Sequence, residues 1–286
     1  MTNSTEPFDL SVIHPEGPVP LVCDLDHPSG PARGTVIVVH GFKGYKDYGM
    51  FPFLARQLAT VGQHVVRVNL AHSGMTRAFE TFARPDLFER DTWNRQVQDL
   101  EALVDAIRSG AVPGIEPALP ITLLGHSRGG VASILMAGRS DAVDHVISVS
   151  APASTRGTSD LGSEERAQLD AEGFLEVESA RTGQLLRVGR AFHDEVDADP
   201  ESHDVPAHAA RLGRRLTVFH GEADPTVPAE AARVLAGAAG GDPILVPGGN
   251  HVFNVANPFP ADGVPSPELQ VLLDRVLEVL GEEEAS

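Results

Sequence analysis

The sequence predicts an α/β fold, a mostly parallel sheet with helices on both faces. Two observations carry that expectation. Strand and helix patterns alternate along the first half of the chain, and such alternation implies right-handed crossovers between parallel neighbours. The stretch Ile121 to Gly130, Ile-Thr-Leu-Leu-Gly-His-Ser-Arg-Gly-Gly, then sets four residues of strand character against a glycine-flanked serine and small, helix-compatible residues. Gly-x-Ser-x-Gly in that setting predicts a turn so sharp that strand and helix backbones nearly touch, with the Ser127 hydroxyl pushed out at the carboxyl end of the sheet. An ordinary glycine-rich βα turn could carry the same five residues, so the rest of the chain decides.

Taken in order, Asp9 to Ile13 and Val19 to Leu25 read as two short antiparallel strands joined by a Pro/Gly turn at Pro15 to Pro18. Thr35 to Val39 is a continuous β-branched apolar run, as a strand covered on both faces requires, and it ends in His40-Gly41-Phe42. Phe53, Leu54, Leu58 and Val61 have helical spacing within Met50 to Val61, with Gly62 as the stop. His64 to Leu70 is the next buried strand, and Ala71 to Pro85 reads as a loop. Trp93, Val97, Leu100, Val104 and Ile107 predict an amphipathic helix over Asp91 to Arg108. After the serine turn come a helix from Arg128 to about Gly138 and a strand at His145 to Val149.

The alternation stops at Ser150. From 155 to 212 the apolar periodicity is weak, and thirteen acidic side chains against six arginines leave seven net negative charges. That is too long for a simple loop between strands. The chain therefore divides into a core of 1–154 and 213–286 and an inserted cap of 155–212, read as small helices with a hairpin at Phe174 to Leu186 turning at Arg181-Thr182-Gly183. A solvated helical excursion that touches no ligand is the competing reading. The core pattern resumes with a strand at Leu216 to Phe219, a helix at Val227 to Ala238, a short strand at Pro243 to Val246, a flexible loop at Gly248 to His251 and a closing helix at Pro267 to Leu280. The glutamate-rich tail beyond it is expected to fray.

Composition narrows the function. At 42% hydrophobic and 22% charged residues, the chain has the make-up of an ordinary globular protein able to bury a large core. A net charge of −18 argues against nucleic acid or an anionic membrane as partner, since both would be repelled. The single cysteine, Cys23, excludes an internal disulfide, and the first thirty residues show no basic start followed by an apolar run; a cytoplasmic location is the expectation. No set of His, Asp and Glu has metal-ligand spacing and no glycine-rich loop has phosphate-binding form, so neither metal nor cofactor is expected.

A serine hydroxyl is a poor nucleophile at neutral pH and needs a base and a group to orient it. Asp224 follows the strand Leu216 to Phe219 and His251 follows the strand Pro243 to Val246, which puts Ser127, Asp224 and His251 in the chain order associated with this serine turn. His251 would take the serine proton and return it to the leaving group, while Asp224 would hold the imidazole tautomer. Glu222 and Asp242 are less well placed rivals, and Asp224 could instead serve only as a charge at a helix start. Two backbone N–H groups are expected to hold the oxyanion, those of Arg128 and Phe42. His40, His126 and His220 read as structural. Lys43-Gly44-Tyr45-Lys46-Asp47-Tyr48 carries both lysines of the chain, and reads either as a solvated loop or as a grip on a substrate carboxylate.

On His40-Gly41-Phe42, Gly125-His126-Ser127-Arg128-Gly129-Gly130, Gly221-Glu222-Ala223-Asp224-Pro225-Thr226-Val227-Pro228 and Gly249-Asn250-His251, the chain resembles the α/β-hydrolase superfamily. Within it, the likeness is to bacterial serine esterases of the cinnamoyl-esterase and dienelactone-hydrolase-like group, and it spans about Thr35 to Leu280 apart from the cap. The resemblance implies an eight-stranded sheet, no cofactor and an acyl-enzyme at Ser127. Two departures stand out: Ala71-His72-Ser73-Gly74-Met75 where many relatives carry Gly-His-Gly-x-Ser, and Ser127 where strict dienelactone hydrolases carry cysteine. The function expected is hydrolysis of small or medium carboxylic esters, with a peptidase or amidase of the same fold, or a catalytically silent binding protein, as alternatives.

Overall fold

A computed structural model describes residues 4–283 of the chain. Its first two strands, β1 (Thr5–His14) and β2 (Gly17–Asp26), form an antiparallel hairpin that runs further at both ends than the apolar pattern alone predicts. Gly17, at φ 112°, closes the turn at a value few other residues adopt. Then follow β3 (Gly34–Val39), β4 (Gln63–Asn69), β5 (Ile121–His126) and β6 (His145–Val149). A separate hairpin, β7 (Phe174–Glu178) and β8 (Leu185–Gly189), precedes β9 (Leu216–Gly221) and the three-residue β10 (Ile244–Val246).

Apart from that hairpin the strands form one eight-stranded sheet in the order β1-β2-β4-β3-β5-β6-β9-β10. β2 is antiparallel to β1 and to β4, and the pairs from β4 across to β10 are parallel. The expected α/β class and strand number are what the chain adopts.

Helices cover both faces because the central strands are apolar on both. The chain places α1 (Phe51–Thr60), α2 (Pro85–Glu89), α3 (Trp93–Arg108), α4 (Arg128–Ala137), α5 (Ser163–Glu172), α6 (Ala191–Ala198), α7 (Val205–Leu212), α8 (Glu230–Ala238) and α9 (Pro267–Glu283) between or after the strands. Val36 and Val38 of β3 pack with Leu54 and Leu58 of α1 and with Leu272 and Val276 of α9. Ile37 and Val39 point the other way, into a core with Leu100 of α3, Leu135 of α4, Ala209 of α7 and Leu235 of α8. The alternation of neighbouring strand residues thus feeds two cores from one strand.

Three boundaries differ from the sequence expectation for local reasons. The stretch expected as loop ends in α2, where Pro85 presets the first turn and Leu87 and Phe88 are buried. α8 begins at Glu230 rather than at Val227, because the Asp224 side chain accepts the amides of Thr226 and Val227 and Pro228 has none to give. α9 continues through 281–283, which were expected to fray; 284–286 lie outside the described residues.

Between β6 and β9 the chain forms α5, the β7–β8 hairpin, α6 and α7. The hairpin pairs Phe174 with Gly189 through Glu178 with Leu185, three residues longer than expected, and Gly183 (φ 68°) turns it. α7 packs on α4 and α8, joining the helical layer over the sheet. Among the described residues, no helix is long and apolar enough to cross a membrane.

Candidate active site

The parallel strands β3, β5, β9 and β10 all end at one edge of the sheet, and each delivers one part of the site there. In open α/β sheets that carboxyl edge is where ligands bind. At the end of β5, Ser127 has φ 53° and ψ −121°, a conformation that an L-residue holds only at a cost of order 1–3 kcal/mol. Its neighbours enforce it. A Cβ on Gly125 would stand 2.4 Å from the Gly129 carbonyl oxygen, and one on Gly129 would stand 2.4 Å from that of Val39. Strand, turn and helix are therefore in backbone contact, and the Ser127 N–H donates to the Val149 carbonyl at 2.8 Å.

The end of β9 meets the loop after β10 just as closely. A Cβ on Gly221 would fall 2.2 Å from the Gly249 carbonyl oxygen, and the Ala223 N–H donates to that same oxygen at 2.9 Å. This contact brings Asp224 to His251, whose Nδ1–H donates to Asp224 Oδ2 at 2.7 Å. Neither Glu222 nor Asp242, both exposed, takes that place. The Asp224 side chain is fully buried. Burial alone would raise its carboxyl, but hydrogen bonds from His220 and His251 and from the amides of Val227 and Thr226 hold it well below the ordinary carboxylate range. It stays an anion.

The loop carrying His251 is not flexible in the way its glycines suggest. Asn250 Oδ1 accepts the amides of Val252 and Asn254, Asn254 Oδ1 accepts that of Asn250, and Asn254 Nδ2 donates to the Gly248 carbonyl. From the end of β5, His126 Nε2–H donates to the His251 carbonyl at 2.7 Å, with the two rings 4.8 Å apart. Burial, with the His251 ring beside it, pulls His126 down to about 3, so it is neutral and keeps its donor. Its role is structural, as expected, and it lines the same cavity as Ser127.

The other histidines hold loops. His40 Nδ1–H donates to the Gly41 carbonyl and Nε2 accepts the Leu70 amide, and burial lowers it to about 4. His220 donates to the Val227 carbonyl at 2.9 Å, with Asp224 Oδ2 at 3.3 Å.

Gly41 and Phe42, after β3, lie against the start of α4: a Cβ on Gly41 would meet Ser127 Cβ at 2.9 Å and the Arg128 amide nitrogen at 3.5 Å. Among the described residues, neither the Phe42 nor the Arg128 N–H is taken by another protein acceptor. The Arg128 side chain runs inward, with its guanidinium 4.0 Å from the Phe42 ring centre and 4.4 Å from that of Phe192, and Nη1 is 3.4 Å from Asp91. Burial raises the Asp91 carboxyl to about 7 against the pull of Arg128 and of Gln96.

Ser127 and His251 face a cavity of about 180 Å³, bounded by Gly41, Phe42 and Lys43 on one side and Ser179, Ala180 and Arg181 of the β7–β8 turn on the other. Among the described residues no hydrogen bond joins Ser127 to His251, a gap common before substrate binds. The lysine cluster splits in two. Lys46 is buried in ion pairs with Asp24 and Asp47, so for it the solvated reading fails, while Lys43 stays half-exposed at the rim.

Arg181, Asn254 and the grip of His126 on the His251 carbonyl were not foreseen, since each depends on contacts between distant segments. The one group of possible metal ligands among the described residues, His14, His72 and Asp99, is likewise assembled only by folding. Its members are tied to one another and to their neighbours, with His14 bonded to Asp99 at 2.8 Å and His72 to Glu16, while the Nδ1 atoms of His14 and His72 are buried without a partner; the Arg95 cation stands against His72 and Glu16.

Residues 36–261 match the model of the alpha/beta hydrolase family. The chain belongs to that family. No curated protein matches the sequence. Among solved structures, this family member is similar to Est1E from Butyrivibrio proteoclasticus with ferulic acid bound, at 17% identity and a TM-score of 0.69, covering 96% of this chain and 99% of that one. It is also similar to the alpha/beta hydrolase GrgF from Penicillium sp. sh18, at 16% identity and a TM-score of 0.67, over 98% and 100% of the two chains. A third likeness is to a puromycin-hydrolyzing peptidase of Mycobacterium tuberculosis, at 19% identity and a TM-score of 0.63, covering 97% of this chain and 40% of the other. At these identities the likeness concerns the fold.

Proposed function

We propose that the protein is a serine hydrolase of carboxylic esters acting through an acyl-enzyme at Ser127. One observation carries the reading: His251, bonded to the buried Asp224 carboxylate, shares a cavity lining with a serine held at φ 53°. In this reading His251 Nε2 takes the Ser127 proton as Oγ attacks the ester carbonyl, then gives it to the departing alkoxide. Water enters by the same base and releases the acid. Asp224 keeps Nδ1 protonated and stabilises the imidazolium. The Phe42 and Arg128 amides receive the oxyanion, an arrangement whose single donors are worth about 3 kcal/mol in related chemistry.

The segment 155–212 acts as a cap on the core of 1–154 and 213–286 through the hairpin that walls the cavity, while its last helix, α7, joins the core layer. The substrate is a small molecule, and the location is the cytoplasm, in keeping with a single buried cysteine whose thiol burial pushes up. Est1E, with an aromatic carboxylic acid bound, supports an ester-derived acid as product. The peptidase neighbour keeps amide cleavage as the alternative, but among the described residues no carboxylate lines the cavity to receive a substrate amine. A silent binding protein would have no use for the strained serine.

The test is labelling by a fluorophosphonate probe together with turnover of para-nitrophenyl esters of graded chain length and of short peptides. Ser127→Ala is expected to abolish labelling and lower ester turnover by at least about 10³-fold while the protein still melts cooperatively. Labelling that survives in the variant would move the nucleophile elsewhere, and faster cleavage of peptides than of esters would favour the amidase.

A further inference from the structure

Lys43 and Arg181 bring positive charge to a cavity whose lining holds no carboxylate among the described residues. The composition runs the other way, with 40 acidic side chains against 22 basic ones. The two cations come from different parts of the fold, Lys43 from the loop after β3 and Arg181 from the β7–β8 turn, and they meet only at this rim.

Neither has an ion pair among the described residues. Lys43 Nζ donates to the Glu178 carbonyl at 2.8 Å, and Arg181 donates to the Phe79 carbonyl and to the Met75 sulfur, neutral acceptors in each case. The Arg181 guanidinium lies 4.8 Å from the Tyr45 ring centre and 5.1 Å from that of Phe82, and its Nε is buried with no acceptor. Glu80 and Glu178, the acids nearest in sequence to these contacts, form no ion pair with either cation and do not line the cavity. Lys46 makes the contrast, closed off by Asp24 and Asp47.

A half-buried charge without a counter-ion costs free energy that an incoming anion would offset. In a chain of charge −18, two such cations also reverse the local field that would otherwise repel an anionic substrate. Resting on the hydrolase reading, we propose that the site takes short esters carrying a carboxylate, which Lys43 and Arg181 hold while the ester carbonyl meets Ser127. The cavity of about 180 Å³ is small, and half-esters of dicarboxylic acids a few carbons long suit it. Hydrolysis then adds one water and releases the alcohol and the dicarboxylic acid, with Ser127 and His251 regenerated.

The test compares para-nitrophenyl hydrogen glutarate with its methyl ester, the same chain with the charge removed. In the unmodified protein, kcat/KM is expected to favour the anionic ester by about tenfold or more, and the preference should shrink as salt rises to about 0.5 M. In the double variant Lys43→Met, Arg181→Met the ratio should fall to about one, and Lys43→Arg with Arg181→Lys should restore part of it. A ratio near one in the unmodified protein, or one that the double variant leaves unchanged, overturns the substrate class while leaving the hydrolase reading intact. Should the variants not fold, the ratio and its salt dependence in the unmodified protein still decide. Failure to turn over either ester, with no fluorophosphonate labelling, would instead overturn the hydrolase reading and the substrate class with it.

Discussion

At the scale of single residues, the site depends on carbonyls and amides as much as on the three side chains named from sequence. His126 is the case that separates the two. Its ring is neutral and buried, and its one donor fixes the backbone of the residue proposed as base. Removing it in His126→Ala leaves the His251 carbonyl without that donor, a cost of about 1–3 kcal/mol, and loosens the imidazole where a displacement of about 1 Å can cost on the order of 100-fold in rate. We expect kcat to fall by about 10- to 100-fold with KM within about twofold, and His126→Gln to recover part of the loss. Steady-state kinetics on a para-nitrophenyl ester would check this, and an unchanged kcat would reduce His126 to packing. The residues at 127, 224 and 251 were legible because each sits directly after a strand, in a turn whose glycines are visible in the sequence. The grip of His126 on the His251 backbone was not legible because it depends on a loop that joins it from 125 positions along the chain.

At the scale of elements, the glycines divide into those that admit a neighbouring backbone and those that merely occupy a position. Gly129, at the start of α4, has the Val39 and His40 carbonyl oxygens 2.4 and 2.5 Å from where a Cβ would go. Gly237, inside α8, has nothing within 4 Å and an ordinary helical setting. Gly129→Ala must therefore part α4 from β3 and is expected to cost at least about 3 kcal/mol, whereas Gly237→Ala should gain about 0.5–1 kcal/mol from a less flexible unfolded chain. Urea unfolding of the two variants would test the contrast, and similar losses in both would refute it. The same distinction marks what could be read in advance. Strands covered on both faces and amphipathic helices announce themselves by composition and period, and so the sheet was legible. The pieces between β6 and β9 are short, so Leu186 and Val188 of β8 or Val205, Ala209 and Leu212 of α7 offer too few apolar positions to announce an element, and the hairpin is also held by polar contacts that leave no local pattern, such as Gln184 to Thr81 and to the Phe82 amide.

At the scale of the whole molecule, stability should depend on pH for two reasons that salt can separate. The first is the net charge of −18, whose self-repulsion grows as pH rises and is screened by ions. The second is Asp91, raised by burial from an ordinary 3.8 to about 7 in the folded protein, against the pull of Arg128. A carboxyl with a raised folded pKa binds its proton more tightly in the native state, so its contribution is complete below about pH 4 and is lost as pH rises through about 7. His40 and His72, lowered by burial to about 4, act in the opposite sense: their share is complete above about 6.5 and is lost on acidification. The window from about pH 6.5 to 8 therefore separates Asp91 from them; His203 and Asp99, both raised in the folded protein, change in the same direction as Asp91 there, so the comparison with a variant at position 91 assigns its share. In about 1 M salt, where screening extends only about 3 Å, the surface part disappears and the buried part remains. We expect the melting temperature of the unmodified protein still to fall across that window in high salt. Asp91→Asn, which stands in for the protonated carboxyl, should melt close to the unmodified protein at the low end of that window and lose less as pH rises, giving a flatter dependence on pH. Equal slopes in the two proteins would mean that Asp91 does not hold a proton in the native state, and would remove the pH-dependent link between the start of α3 and the Arg128 side chain beneath Phe42.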